Sequence, residues 1–469
     1  MSLQTPILED ASTHSLPTKV GYRAVLSNKS FLALWIGQVF SQLADRIIFV
    51  VFIILVVQHY GAQSEYKSFL YVAFTIPAVL LTAVAGVFVD RWPRRAVLIT
   101  TNLIRAALVA LIPWAAKASG GWAIYLVAFL ISSVTQFFVP AEAATIPMVV
   151  DKKSLLTANS LFTTTMMASV IFGFALGDPL ISIFSLAKVH WVISGLFLLA
   201  SVSLALVKPK PNTEACERVR SGSIQESCSR FFSEIKEGVA YINENTMVRN
   251  AMFKLAIIFS AIVALCLLFI TFAQTYLFSD PAIAAQKFAY IIAFSGVGMA
   301  LGGFLVGQVF HHTRRGLMVY SGFLAVGICL VILPLIIHLI PKHDSAIQLP
   351  HMLSRKIDVD EFRFTFRMFF TYTMSILMGV GAAFIAIPLQ AVLQEMIPED
   401  KRGKVFGVQF TILSTASTLP ALIAGYAVDH IGVGTIFLLI GSFMLVFGVA
   451  GLFQRIQAGR NRDVFTAHW

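Results

Sequence analysis

Residues 31–57 read FLALWIGQVFSQLADRIIFVVFIILVV, and this run decides what kind of protein the chain is. A helix rises about 1.5 Å per residue, so about 20 apolar residues cross a bilayer. The run exceeds that length, and its only formal charges are Asp45 and Arg46. Counted from Phe31, the pair lies roughly 20 Å along the helix, close to the middle of a bilayer. A charge at that depth is expensive and usually marks a pathway.

The rest of the chain follows the same rule. Of 469 residues, 57% are hydrophobic and 13% charged, where a soluble domain carries about 25% charged residues. The mean hydropathy is +0.80. Span-sized windows fall at 31–57, 68–89, 96–115, 122–146, 157–186 and 188–207, and again at 251–277, 286–310, 316–341, 365–393, 404–428 and 432–453. The sequence therefore predicts an all-α membrane protein with twelve transmembrane helices in two six-helix bundles. The bundles cover 31–207 and 250–453, with tails at 1–30 and 454–469 and a linker at 208–249. Asp178 and Pro179 interrupt the fifth window, the weakest of the twelve. Residues 1–28 are polar and carry no cleavable-signal pattern, so the first span is expected to act as its own insertion signal.

Lys and Arg placement sets orientation. Most of the 35 basic residues lie in the two tails, the linker and the even-to-odd connections, which puts both termini in the cytoplasm. Trp114 and Trp122 flank the opposite 117–121 connection, as interfacial aromatics do. The net charge of +11 then faces the anionic cytoplasmic leaflet, and no nucleic-acid partner is expected. Cys216 and Cys228 fall in the linker and Cys266 and Cys329 in spans, so all four read as free thiols. Within the linker, Phe231, Ile235, Val239 and Ile242 repeat at helical spacing, predicting an amphipathic helix on the cytoplasmic membrane surface.

The two halves repeat each other. Setting Pro140 over Pro388 brings Asp151 over Glu399, Lys153 over Lys401 and Phe162 over Phe410. Six-plus-six spans with internal repetition predict a transporter whose site lies between the halves near the midplane. Between the second and third windows stands GVFVDRWPRRAVL, in which Gly86, Asp90, Arg91, Arg94 and Arg95 fit G-x-x-x-D-R-x-x-R-R. In pattern and place this resembles the signature of the major facilitator superfamily. The resemblance implies a gating role for these five residues. Gly86 would permit close helix approach, Asp90 would cap or pair, and the arginines would sit at headgroups. The second-half counterpart, GQVFHHTRRG, keeps Gly307 but has His311 for the aspartate. Within that superfamily, GQVFSQLADR, PAEAATIP with LLTANSL, EIKEGVAYINEN and LQEMIPEDKRGKVFG resemble the drug- and siderophore-exporter branch, with macrolide-efflux and enterobactin exporters and, nearby, lysophospholipid transporters. Two departures stand out: Asp178 sits between Gly177 and Pro179 in helix 5, and helix 4 has no arginine.

The candidate site begins in helix 1. Gln38, Gln42, Asp45 and Phe49 form one stripe, and Arg46 points about 100° away. Helix 3 offers Asn102 and Arg105 on one face, with Arg105 within range of Asp45, and helix 4 offers Glu142. Asp45 is open to three roles: titration in proton coupling, binding a cationic group, or a salt bridge that fixes packing. Asp178 reads equally as functional or as the end of a kinked helix. In the second half the candidates are neutral, with Gln274, Gln390 and Gln394 foremost. Helix 8 carries Gly298, Gly302, Gly303 and Gly307, a close-packing and sliding surface. An acidic first half facing amides suits a bulky amphipathic substrate, cationic or zwitterionic.

The chain lacks a G-x-S-x-G elbow, an H-E-x-x-H pair and a phosphate-binding G-x-x-x-x-G-K-[ST] loop. An enzyme and an ATP-driven pump are thereby disfavoured. The reading is a secondary exporter of a small amphipathic compound in the plasma (inner) membrane. It works as a monomer without cofactor, with a proton gradient as the candidate energy source and the lipid bilayer as its partner. A lysophospholipid flippase and a non-transporting receptor or scaffold are the alternatives.

Overall fold

The computed structural model describes residues 22–460 apart from 62, 118–120, 152–153, 209–232, 234–235, 279, 311–312 and 340–365. The long helices of the first half are α1 (Lys29–Tyr60), α2 (Ser64–Arg91), α3 (Arg94–Ala110), α4 (Trp122–Val149), α5 (Leu155–Phe184) and α6 (Leu186–Ala205). Those of the second are α7 (Thr246–Phe272), α8 (Pro281–Gln308), α9 (Arg315–Leu339), α10 (Phe366–Met396), α11 (Glu399–Ile431) and α12 (Val433–Arg460). Ile112–Lys117 extends α3 and a π-helical turn, Ala273–Leu277, extends α7. Among the described residues, 11 helices are long and apolar enough to cross a membrane. The remaining long helix, α2, has 28 residues and packs among them.

Local chemistry sets the helix ends. The Asn28 side chain accepts from the amides of Ser30 and Phe31 at the start of α1, and Gly61, at φ 77°, closes it. Asn245 caps α7 in the same way, and Asp280 accepts from Ala282 with Pro281 in the first turn of α8. Asp178 and Pro179 do not interrupt α5, which runs unbroken to Phe184. A membrane helix tolerates an internal proline because neighbouring groups and small local adjustments re-satisfy the freed carbonyl. For the same reason α4 and α10 continue past the paired prolines, Pro140 and Pro388, to Val149 and Met396.

Each half packs as a bundle: α1 against α5 and α6, α3 against α4 and α6, α8 and α9 against α10, and α9 against α12. The halves meet mainly through α5 with α8, α2 with α11 and α1 with α8. The α8–α10 contact is the closest. A Cβ at Gly298 would lie 2.0 Å from the Ile376 carbonyl oxygen, and one at Gly379 2.0 Å from that of Ser295. The expected sliding surface is shorter than its glycine spacing suggested. Gly302 meets Val380 and Ala383, but among the described residues Gly303 reaches only the end of Ile387 and Gly307 meets nothing within 4 Å. Gly298→Ala should therefore lower stability by about 1–3 kcal/mol through overpacking. Gly307→Ala should stay within about 0.5 kcal/mol of wild type. Thermal unfolding in detergent reads both, and equal melting of the two variants would refute this packing.

The linker helix does not simply lie on lipid. Residues 236–244 are helical and dock on the turn between α10 and α11. Lys404 donates to Glu237, Tyr241 donates to the Met396 carbonyl at 2.9 Å, and the Lys401 ammonium lies 4.9 Å from the Tyr241 ring centre. Ile242 is buried while Val239 stays exposed, and Phe231 and Ile235 lie outside the described residues. The hydrogen bond from Lys404 holds the Glu237 carboxyl below its usual range. With a depressed folded-state value, this tie is present above the ordinary carboxylate range and is lost as pH falls through the lowered one.

Candidate functional site

Arg105 is the hub of the first bundle. One terminal nitrogen donates to both carboxylate oxygens of Asp45, at 3.1 and 3.2 Å, and the other to Ser41 Oγ and Asn102 Oδ1, each at 2.9 Å. The rings of Phe138 and Phe197 stand 4.6 and 4.7 Å from the guanidinium carbon. Arg105 is fully buried, whereas the Asp45 side chain is 24% exposed. Asn102 is held in turn by a hydrogen bond to the Leu98 carbonyl. Of the roles the sequence left open for Asp45, this geometry meets the demands of a buried ion pair.

Glu142 on α4 lies in the same field, close enough to feel both Arg105 and Asp45. It is buried, and its Oε1 makes no hydrogen bond. Arg105 is thus hydrogen-bonded to one carboxylate and lies in the field of a second. Gln38 does not line an open cavity: it is buried, and its amide donates to the Phe162 carbonyl on α5 at 3.4 Å. Gln42 and Arg46 are partly exposed. Arg46 lies against α5, where a Cβ on Gly173 would fall 2.5 Å from the Arg46 Cβ.

The remaining charged candidate, Asp178, joins the two halves. Asp178 on α5 accepts from Lys287 Nζ at 3.0 Å and from the Tyr290 hydroxyl at 2.7 Å, both on α8. Nearby, Gln286 donates to Ser182. Lys67 on α2 donates to Thr271 Oγ1 at 2.9 Å and Gln274 Oε1 at 2.7 Å. Ser64 Oγ is 2.7 Å from Thr271 Oγ1, and Asp429 on α11 accepts from the amides of Ser64 and Glu65. These contacts gather at the end of the molecule remote from the start of α1 and the close of α12. At the opposite end the polar ties run within one half: Asn28 to Val149, Arg94 to Ala144, and Arg315 to Glu395.

Gln274 therefore belongs to this inter-half cluster and not to a cavity wall. Gln390 accepts from Gln409 at 3.0 Å, and Gln394 is exposed near the end of α10. In the loop signature, a Cβ at Gly86 would meet no atom of the described residues within 4 Å. The close helix approach expected of it is not seen among the described residues. The Asp90 side chain and His311 lie outside the described residues. Arg91 ends α2, while Arg94 and Arg95 donate to the carbonyls of Ala144 and Ala205, tying α3 to α4 and α6. Sequence reasoning missed Lys67, Lys287, Tyr290 and Asp429. A lysine near the end of a span looks like ordinary headgroup anchoring until its partner is known.

Residues 34–348 and 362–466 match the family model described as Major Facilitator Superfamily. The chain is 24% identical over 442 residues to the uncharacterized MFS-type transporter YfiS of Bacillus subtilis (strain 168), covering 94% of this chain and 96% of that protein. It is 22% identical over 424 residues to macrolide efflux protein A of Streptococcus pyogenes, covering 89% and 94%. Among solved structures, a mutant of the nucleoside transporter NupG superposes with a TM-score of 0.66 at 13% identity, over 90% of this chain and 98% of that one.

Proposed function

Because the chain belongs to the major facilitator superfamily, whose members are transporters and not enzymes, we propose that it exports a small amphipathic compound by alternating access. It is an integral, multi-pass membrane protein with drug-efflux relatives. In this reading α2 is the twelfth span, both termini and the linker are cytoplasmic, and the protein works as a monomer in the inner membrane. No phosphate-binding loop is present, so the energy source is an ion gradient, with protons as the coupling ion.

One observation carries the reading. The polar contacts between the halves gather at one end, while a charged helix-1 site lies between that end and the other. We read this as a transporter closed on one side, with its central site served from the side of the termini. With the termini cytoplasmic, the closed side is the outer one. Inside-out vesicles containing the protein should accumulate a fluorescent amphipath when energised, and a protonophore should abolish the accumulation. Uptake equal to that of vesicles lacking the protein, across lipophilic cations, anions and zwitterions, would sink the proposal.

A further inference from the structure

The buried and half-buried charges at the heart of the molecule can be accounted for one by one. Asp45 is committed to Arg105, Asp178 to Lys287 and Tyr290, Lys67 to Thr271 and Gln274, and Arg367 to the Tyr276 carbonyl, while Glu142 lies in the field of Arg105. Arg46 is left over. Its Nε is buried without a partner, and among the described residues no group accepts a hydrogen bond from its guanidinium or pairs with it. Its neighbour Asp45 leans the other way, toward α3, as adjacent helical residues must. Cys266 on α7, in the second half, lies within electrostatic reach of Arg46. The side chain thus stands where the two halves face each other.

Gln42 lies one turn earlier on the same face of α1. It too is partly exposed and makes no hydrogen bond among the described residues. Gly173 makes room for the arginine's stem: a Cβ there would stand 2.8 Å from the Arg46 Cγ. A guanidinium stays charged at any working pH, and its planar fork matches a carboxylate or a phosphate. With Asp45, the carboxylate whose field reaches it, hydrogen-bonded to Arg105 instead, the guanidinium is open to a further anion inside the membrane.

We infer that Arg46, helped by the amide of Gln42, binds the anionic group of the transported amphipath, so that the substrate class is an amphipathic anion bearing a carboxylate or a phosphate. This rests on the exporter reading and names its substrate. It also replaces the cationic or zwitterionic substrate expected from the sequence, because the carboxylate that would have met a cation is taken by Arg105.

The test uses the full chain in nanodiscs of neutral phosphatidylcholine. Binding of 11-(dansylamino)undecanoic acid is followed by fluorescence, with the trimethylammonium analogue of the same chain as the cationic probe. Unlabelled lysophosphatidylglycerol and dodecanoate compete separately, which tells a lipid phosphate from a free carboxylate. The expected result is that the anion binds and the cation does not compete. Arg46→Gln should weaken anion binding at least tenfold, about 1.4 kcal/mol, and Arg46→Lys should restore part of it. Unchanged anion affinity in a folded Arg46→Gln protein, or tighter binding of the cation than of the anion, overturns the inference. Vesicle uptake separates the two readings. Arg46-dependent binding with no uptake of any probe supports the anion site and overturns export. Uptake of the cation alone supports export and overturns the anion site.

Discussion

Asp45→Asn should destabilise the folded protein by roughly 3 kcal/mol, the lower end of what removing one partner from a buried ion pair costs. The lower end applies because the Asp45 side chain is 24% exposed, so water takes over part of its role. What remains is Arg105, fully buried between Phe138 and Phe197, facing a neutral amide where the carboxylate stood, with Ser41 and Asn102 accepting from it and Glu142 in its field. A double substitution separates the pair from its parts. Asp45→Asn with Arg105→Met should recover most of the loss, since methionine fills the slot between two rings without a charge. Thermal or denaturant unfolding of the detergent-purified protein reads all three variants. If Asp45→Asn melts with wild type, the pair contributes nothing to packing and a titrating role for Asp45 regains its ground. If the double variant is as weak as the sum of the singles, the two residues act independently despite their contact.

That pair also shows what could be read from the sequence and what could not. Hydropathy placed the long helices well, 11 of them apolar enough to cross a membrane among the described residues, because in lipid every backbone group must be satisfied within a helix, so apolar length translates into helix length. Helical period correctly set Asn102 and Arg105 on one face and turned Arg46 away from Asp45. The Asp45–Arg105 contact was within reach of depth arithmetic, since both lie far inside their spans. The contact between Asp178 and Lys287 was not, because no local pattern links residues so far apart in the chain. Gln274 misled for a related reason. An amide in a span suggests a cavity wall, yet its partner, Lys67, sits at the end of a helix in the other half. Gly86 misled because a glycine's use depends on which conformation brings a neighbour to it. Sequence fixes the face a residue occupies, and conformation decides what that face meets.

A disulfide across the closed end should stop transport altogether. Ser64 Oγ and Thr271 Oγ1 are 2.7 Å apart, one on α2 and the other on α7, so cysteines at these places lie within the reach of a disulfide after small rotations. The Ser64→Cys, Thr271→Cys protein should transport when reduced, fall to background when oxidised, and recover with dithiothreitol. Each single cysteine variant should be indifferent to oxidant, which sets aside Cys266 and Cys329 as the cause. The same end offers a milder test. The residue before α2, Gln63, makes no side-chain cap, and Asp429 from α11 supplies the missing acceptor to the Ser64 and Glu65 amides. An N-cap contributes about 1 kcal/mol. Because this cap exists only while the halves touch, its whole worth is a bias toward the closed end. Asp429→Asn keeps an acceptor but gives up the charge that favours a helix N-terminus, so its effect should be the smaller. Asp429→Ala should shift the closed–open balance about fivefold, read as faster labelling of a single cysteine at Thr271 by an impermeant maleimide. Undiminished transport by fully cross-linked protein would mean that the halves never part at this end, and alternating access through it would have to be abandoned.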